Sequence, residues 1–158
     1  KGFSRYASGQ DRLLVLIDYT KPSTEKRFYI LDLLQKKLLL STYVAHGRGS
    51  GDNYAVAFSN RPGSYQSSLG FFRTGDTYMG KNGYSLFLDG LEKGINDKAR
   101  ERAIVVHGAN YADPAVLKGQ QRLGRSLGCP ALPPDISKQV IDTIKGGVLL
   151  YIYGLNKA

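Results

Sequence analysis

RLLVLIDY at residues 12–19, RFYILDL at 27–33 and KLLLSTYVA at 37–45 are three short apolar segments that follow one another closely. Each is rich in Leu, Ile, Val or Tyr, and polar, turn-forming residues separate them, which is typical of β-strands. The links between them are short and polar, which favours hairpins. We therefore predict that the fold begins with an antiparallel meander of three strands.

The remaining segments favour more strands than helices. Apolar runs at 84–88, 102–106 and 148–153 predict further strands, and residues 95–102 are compatible with a helix. A helical stripe of apolar side chains spans 136–145, with Asp135 as a good N-cap and Gly146-Gly147 as a good stop. Strand–helix–strand units do not repeat, which disfavours a parallel α/β sheet. We predict one mainly β domain over residues 1–158, a sandwich or barrel with one or two short helices.

Residues 47–83 have a different composition, dense in Gly, Ser, Asn, Tyr and Arg. The frequent Gly and Pro predict turns and loops, interrupted by short strands at 55–59 and 70–73. A loop-rich stretch of this length inside a compact domain is more often functional than idle. Its aromatic residues indicate that it packs against the rest of the domain.

The composition limits the classes of function. The net charge of +9 suits a polyanionic partner, such as nucleic acid, an anionic membrane or an anionic cell-wall polymer, and is equally compatible with simple solubility. Nucleic acid is disfavoured because neither a basic run nor a nucleic-acid-binding motif is present. One Cys and two His exclude an internal disulfide and argue against a structural zinc site. No run approaches 18 apolar residues, so no membrane span is expected.

The single cysteine, Cys129, lies in GRSLGCPA at residues 124–131. A lone cysteine is usually a small buried hydrophobe, but Gly128 and Pro130 place this one on a turn. Glycine allows close approach of the backbone to a ligand, Arg125 is near enough in sequence to favour a thiolate, and successive N–H groups at such a turn can form an oxyanion hole. Cys129 is therefore a candidate nucleophile.

A thiol nucleophile needs a base, and the chain offers two histidines. His107 ends the apolar run before it and precedes Gly108, so it is well placed to face a cleft. His46 also ends an apolar run and precedes a glycine. Cysteine and base need only be neighbours in space, so composition and spacing do not choose between the two.

IVVHG at 104–108, followed by SLGC at 126–129, resembles the signature of the murein L,D-transpeptidase catalytic domain, the YkuD-like family. That signature is a strand ending in His-Gly, a loop, and then Ser/Thr-His-Gly-Cys. HGRGSG at 46–51 and GRSLGCPA at 124–131 resemble a divergent branch in which the cysteine segment has the pattern Gly-Arg-Ser-aromatic-Gly-Cys-Pro-Ala. The resemblance extends from about residue 13 to residue 154. This chain departs from the pattern at two positions. Leu127 stands where the family usually has the His before Gly-Cys, and Ala131 stands where an Arg often follows the Cys by two residues.

The resemblance implies an L,D-transpeptidase-like fold and a cysteine-dependent acyl transfer to peptidoglycan stem peptides. Cys129 would be the nucleophile and His107 the base, with a carbonyl near Gly108 orienting the imidazole and the N–H groups of Gly128 and Cys129 forming the oxyanion hole. It implies neither a metal nor an organic cofactor, and a periplasmic or otherwise extracytoplasmic location. The side chains implied in substrate binding are those of His46, Arg48, Arg125 and Ser126.

Two of these assignments have structural alternatives. Ser126 is expected to shape the turn, and His46 and Arg48 either line the donor cleft or stabilise their loop. Three other functions remain open: an L,D-carboxypeptidase on the same scaffold, a non-catalytic wall-binding module, and a nucleic-acid-binding β domain suggested only by charge and tyrosine content. Substrate choice, acceptor and oligomeric state do not follow from the sequence.

Overall fold

The computed structural model describes residues 2–157. Within that range, two α-helices and eight β-strands form. They are α1 (Gly2–Tyr6), β1 (Leu13–Asp18), β2 (Phe28–Asp32), β3 (Lys37–Thr42), β4 (Gly70–Gly80), β5 (Gly83–Gly90), β6 (Val105–Gly108), β7 (Ala131–Leu132), α2 (Pro134–Ile144) and β8 (Leu149–Tyr153). Short 3-10 turns lie at Arg48–Ser50, Asn110–Ala112 and Pro114–Lys118.

The strands form one sheet in the order β3-β2-β1-β8-β4-β5-β6-β7. The predicted meander is confirmed, since β1 pairs with β2 and β2 with β3, both antiparallel. Just beyond β3, Ala45 pairs with Ala131 in β7, so the two ends of the sheet meet. The result is a mostly β, nearly closed barrel, as predicted. Two strand pairs, β1 with β8 and β6 with β7, are nevertheless parallel.

The strand predictions around the second half of the sheet were partly wrong. Residues 55–59 form no strand, because the N–H groups of Val56 and Ala57 turn back to the Ser50 carbonyl instead. The short strand predicted at 70–73 continues to residue 80, where Gly75 fits because the pairing of β4 with β5 shifts register between Thr74 and Thr77. The strand predicted at 102–106 begins later, at Val105, and includes His107 and Gly108.

The helix predictions also needed correction. Residues 95–102 form successive turns rather than a helix. The helix predicted at 136–145 is present as α2, but Pro133 occupies its N-cap and Asp135 lies in the first turn without a capping hydrogen bond. Gly146 and Gly147 end it as predicted, both with positive φ.

The core consists of one large apolar cluster, to which alternate side chains of the strands contribute, and a small second cluster of Ala45, Ala112 and Ala131. In β1 and β2, Val15, Ile17, Phe28 and Ile30 are fully or almost fully buried. Helix α2 covers β5 and β6 with a stripe of buried side chains, in agreement with its predicted amphipathic pattern. Helix α2 therefore packs against β6, the strand that contains His107.

Candidate active site

Cys129 and His107 come together because β6 and β7 are neighbouring parallel strands. His107 in β6 is paired with Ala131 in β7. Cys129 precedes Ala131 by two residues and therefore lies beside Val105, two residues before His107. The Val105 N–H donates to the Cys129 Sγ at 3.4 Å, as this register requires. The register of one strand pair thus shows which histidine lies near Cys129, which the spacing in the sequence could not show.

The Cys129 thiol is nearly buried, with 8% of its surface exposed. It donates to the Ala103 carbonyl at 3.3 Å and accepts from the Val105 N–H. Within residues 2–157, no hydrogen bond joins Sγ to the His107 ring. Burial raises the pKa of Cys129, although the Val105 N–H and the Arg102 charge act in the opposite direction. The structure therefore holds a protonated thiol turned towards a backbone carbonyl.

The His107 imidazole is held by a backbone carbonyl, as the family resemblance implied. Its Nδ1 lies 2.9 Å from the Gly108 carbonyl oxygen. A carbonyl can only accept, so Nδ1 carries the proton and Nε2 carries the free lone pair. Burial lowers the pKa of His107, while the bond to Gly108 partly offsets this. A buried imidazole that is neutral at physiological pH has the correct state for a general base.

The turn that carries Cys129 is shaped by Ser126. The Ser126 Oγ donates to the Cys129 carbonyl at 2.5 Å and accepts from the Gly128 N–H at 3.1 Å. Gly128 has a φ of +124°, which side chains rarely permit, and a Cβ there would lie 3.0 Å from the Gln66 carbonyl oxygen. Because Ser126 occupies the Gly128 N–H, that group is not free for an oxyanion. The Cys129 N–H, by contrast, has no acceptor within residues 2–157.

The thiol and the imidazole open on the same cavity, whose volume is about 370 Å³. The walls come from the β4–β5 hairpin, the segment before β6, and the loops before β7. The lining residues are Tyr78, Lys81, Asn82, Arg102, Ala103, Val105, His107, Tyr111, Arg125, Ser126, Leu127 and Cys129. Three of them are basic, and none of them is acidic.

Arg102 is the charge that acts on Cys129, and sequence reasoning missed it. Arg125 was predicted to favour a thiolate, but its guanidinium bonds the Gly51 carbonyl and the exposed Asp52 carboxylate, each at 3.2 Å. Arg102 lies far from Cys129 in the sequence but lowers the pKa of its thiol. The sequence signal for Arg102 was only its place before the histidine strand, in a segment predicted to be strand itself.

His46 lies beneath the cysteine turn rather than in the cavity. Its ring is 1% exposed, with Nδ1 2.8 Å from Arg27 Nη2 and Nε2 3.2 Å from the Gly51 carbonyl oxygen. Its backbone carbonyl accepts from the Ser126 N–H at 3.0 Å. Both ring nitrogens are therefore bonded within the protein, which favours the loop-stabilising alternative for His46.

Arg48 likewise reaches the site through its backbone. Its N–H donates to the Ser126 carbonyl at 2.8 Å, while its exposed guanidinium stacks on Tyr65, 4.6 Å from the ring centre.

The structure locates the two residues that depart from the family pattern. Leu127 is 54% exposed at the cavity wall, and Ala131 is fully buried between β6 and Ala45, where the barrel closes.

His46 is expected to make the fold sensitive to acid. Burial, followed by the Arg27 charge, lowers the pKa of His46 to about 4, against an ordinary value of 6.5. Between these values the unfolded chain binds more protons than the folded one, so stability falls as pH falls. We expect His46 to account for a loss of about 3 kcal/mol in the free energy of unfolding from pH 7 to pH 4.

Urea unfolding of the wild type and of His46→Asn at several pH values between 7 and 4 measures this. The Asn side chain can still accept from Arg27 but does not titrate. The variant should be less stable at pH 7, and its disadvantage should shrink towards pH 4. Equal pH slopes for the two proteins would rule out His46 as the titrating group.

The described residues contain no cluster of three or more His, Cys, Asp or Glu side chains arranged to hold a metal ion. In the same part of the chain, every helix is too short or too polar to cross a bilayer.

Solved structures with this fold include three bacterial proteins. An L,D-transpeptidase from Mycobacterium smegmatis has a TM-score of 0.54 and 13% identity, covering 90% of this chain and 59% of its own. The helical cell shape determining protein Pgp2 from Campylobacter jejuni has a TM-score of 0.61 and 16% identity, covering 94% of this chain and 50% of its own. An L,D-transpeptidase from Stackebrandtia nassauensis has a TM-score of 0.55 and 14% identity, covering 99% of this chain and 62% of its own. At these identities the likeness concerns the fold, and this chain spans only about half to three fifths of each protein.

A comparison with curated proteins found no significant match. The model of the L,D-transpeptidase catalytic domain, in contrast, matches residues 1–153, which is nearly the whole chain. The fold comparison agrees with that match, and Cys129 and His107 line one cavity of the barrel. The chain therefore belongs to the L,D-transpeptidase catalytic domain family.

Proposed function

We propose that this protein is a peptidoglycan L,D-transpeptidase in which Cys129 is the nucleophile and His107 the general base. The observation that carries the proposal is the pairing of β6 with β7, which sets a thiol and an imidazole held by the Gly108 carbonyl at one cavity. The family acts on peptidoglycan stem peptides. Peptidoglycan lies outside the cytoplasmic membrane, so we place the protein there and treat residues 1–158 as one catalytic domain.

The first half of the reaction forms a thioester. The thiol leaves the Ala103 carbonyl by rotation of its side chain, and Sγ passes its proton to the free Nε2 of His107. Sγ then attacks the carbonyl carbon of the L-configured third residue of a tetrapeptide stem. The peptide bond to the terminal D-amino acid breaks, and His107 returns its proton to the leaving amine.

The tetrahedral intermediate carries a negative oxygen, which needs a hydrogen-bond donor. We assign this contact to the Cys129 N–H, because the Gly128 N–H is already bonded to Ser126. Gly128 contributes through its positive φ, which turns the backbone so that the next N–H can face the cavity. A single oxyanion donor of this kind typically contributes about 3–4 kcal/mol to transition-state stabilisation.

The second half of the reaction consumes the thioester. An amine of a neighbouring stem attacks the thioester carbonyl and forms the cross-link as the C–S bond breaks. His107 accepts the proton that the amine loses and passes it to the departing thiolate, which restores the thiol and the neutral imidazole. Peptide stems carry free carboxylates, and the cavity offers positive charge on Lys81 and Arg125. Opposite charge of this kind favours encounter with an anionic peptide.

The experiment is to incubate the purified protein with disaccharide-tetrapeptides and to analyse the products by mass spectrometry. The proposal expects cross-linked dimers, together with a peptide containing Cys129 whose mass is increased by the acylated stem. Shortened monomers without dimers would instead assign the protein as an L,D-carboxypeptidase, with water as the acceptor. If neither product forms from tripeptide, tetrapeptide or pentapeptide stems, the protein is not a catalyst of this reaction, and the wall-binding module remains as the alternative.

A further inference from the structure

Arg102 is a partly buried cation that has no carboxylate partner among residues 2–157. Its guanidinium donates to four neutral oxygen atoms of one loop segment, residues 59–68. The acceptors are the Ser59 carbonyl (2.8 Å), the Ser68 Oγ (2.7 Å), the Ser64 Oγ (3.1 Å) and the Gln66 carbonyl (2.8 Å). The described part of the chain places no carboxylate within 4.0 Å of it, whereas Arg73, Arg100 and Arg125 each have one.

These contacts decide what Arg102 is able to do. A guanidinium has five N–H donors, and four hydrogen bonds at Nη1 and Nη2 leave only Nε. Two-pronged binding of a carboxylate, which is the common use of arginine at a substrate site, would require breaking the loop contacts. The positive charge, however, remains unneutralised. Arg102 is therefore suited to act at short range by its field rather than by binding a ligand directly.

Arg102 lies directly against the cysteine turn. A Cβ on Gly128, the residue before the nucleophile, would be 3.5 Å from Arg102 Nη2 and 3.0 Å from the Gln66 carbonyl that Arg102 binds. The guanidinium thus holds the 59–68 segment against the back of the turn. Arg102 and Cys129 also line the same cavity.

The residue after Arg102 supports a functional role for this segment. Ala103 has a φ of +56°, an uncommon conformation for a residue with a side chain. Its carbonyl accepts the Cys129 S–H, and two residues later the Val105 N–H donates to Sγ. One short stretch therefore surrounds the sulfur with an acceptor for the thiol proton, a donor for the thiolate and a nearby cation. Backbone strain of this kind concentrates at functional sites.

We propose that Arg102 is a positioning residue that stabilises the thiolate of Cys129 by its charge and holds the 59–68 segment behind the cysteine turn. When Sγ loses its proton, the negative charge forms on the sulfur, and the guanidinium neither gains nor loses a proton. A buried thiolate without a nearby cation would be strongly disfavoured. That His107 accepts the proton is part of the proposed function. The effect of Arg102 on the thiolate can be measured whether or not the protein turns over stem peptides.

The test is the pH dependence of Cys129 alkylation by iodoacetamide, followed by intact mass. The chain has one cysteine, so each adduct reports this thiol. Arg102→Gln removes the charge, and Arg102→Lys keeps it while losing the planar fork. The matched control is Arg100→Gln, since Arg100 is half exposed, pairs with Asp89 at 2.6 Å and loses the same charge. Thermal melts record whether each variant is folded.

We expect Arg102→Gln to shift the alkylation profile upward by about one pH unit, which is about tenfold slower reaction on the rising limb. Arg102→Lys should remain closer to the wild type, and Arg100→Gln should match it. A wild-type profile for Arg102→Gln, or a profile for Arg102→Lys shifted by a full unit, would overturn the inference. If Arg102→Gln fails to fold, the profile of Arg102→Lys decides.

The same variants separate this inference from the proposed function. If the wild type forms no product from any stem, yet its alkylation profile shifts in Arg102→Gln, Arg102 retains its role and the transpeptidase proposal falls. If the wild type turns over stems, Arg102→Gln should lower kcat about tenfold with KM little changed, because its effect is on the nucleophile and not on substrate binding.

Discussion

Cys129→Ala is expected to abolish both cross-linking and trimming of tetrapeptide stems, with a loss on the order of 10⁴-fold or more in kcat. The sulfur is the only atom of the protein that forms a covalent bond to the substrate in the proposed reaction, so no other group replaces it. Cys129→Ser should be equally inactive, because a hydroxyl in this place is a far weaker nucleophile than a thiolate. Mass spectrometry of the products, with the wild type in parallel, measures the effect.

Binding and stability provide the controls for this prediction. Cys129 is small and its side chain is nearly buried, so Cys129→Ala should fold and unfold cooperatively near the wild-type temperature. It should also still bind stem peptides, since Lys81 and Arg125 are untouched. Full turnover by Cys129→Ala would show that the nucleophile is another group, and the mechanism proposed above would be wrong.

His107→Ala is expected to lower kcat by about 10²–10⁴-fold, the range found for loss of a general acid–base. The proton of Sγ then has no acceptor, and the leaving amine has no donor. His107 lines the cavity, so imidazole added to the solution can reach the space that the substitution creates. Recovery of activity with imidazole, following the concentration of its neutral form, would identify the missing group as a base.

The pH profile gives an independent check on His107. Because burial lowers the pKa of His107 below its ordinary value of 6.5, the acid limb of kcat/KM for the wild type should lie below pH 6.5. Activity is lost there because the protonated ring cannot accept the thiol proton. His107→Ala should lack that limb. An unchanged limb in the variant, or residual activity close to that of the wild type, would remove His107 from the proton transfer.

The first three strands and α2 were predictable because their signals are local. Alternating side chains such as Val15 and Ile17 show which face of a strand is buried, and a 3.6-residue stripe does the same for the helix at Pro134–Ile144. Glycines at 146 and 147 mark the end of that helix because few other residues adopt positive φ. Each of these signals lies within a window of about ten residues, so no distant contact has to be known.

The errors occurred where a distant contact overrides local preference. Residues 74–80, with two glycines, were predicted to be loop beyond the short strand at 70–73, yet pairing with β5 continues that strand to Gly80. Residues 95–102 contain suitable residues for a helix, but Asn96 instead uses its side-chain amide to bind the Leu69 and Phe71 carbonyls, each at 2.9 Å. Such hydrogen bonds between remote segments leave no periodic trace in the sequence.

The candidate site divides in the same way. The chemistry that we propose was predicted from the sequence, because the segments around Gly128-Cys129 and His107-Gly108 resemble the signature of the family. The closure of the barrel decides that His46 is buried against Arg27 and that His107 lines the cavity. It also decides that Arg102, rather than Arg125, is the cation that acts on the thiol. Charge and hydrogen bonding act through space over a few ångströms, so their partners are known only once the strands are paired.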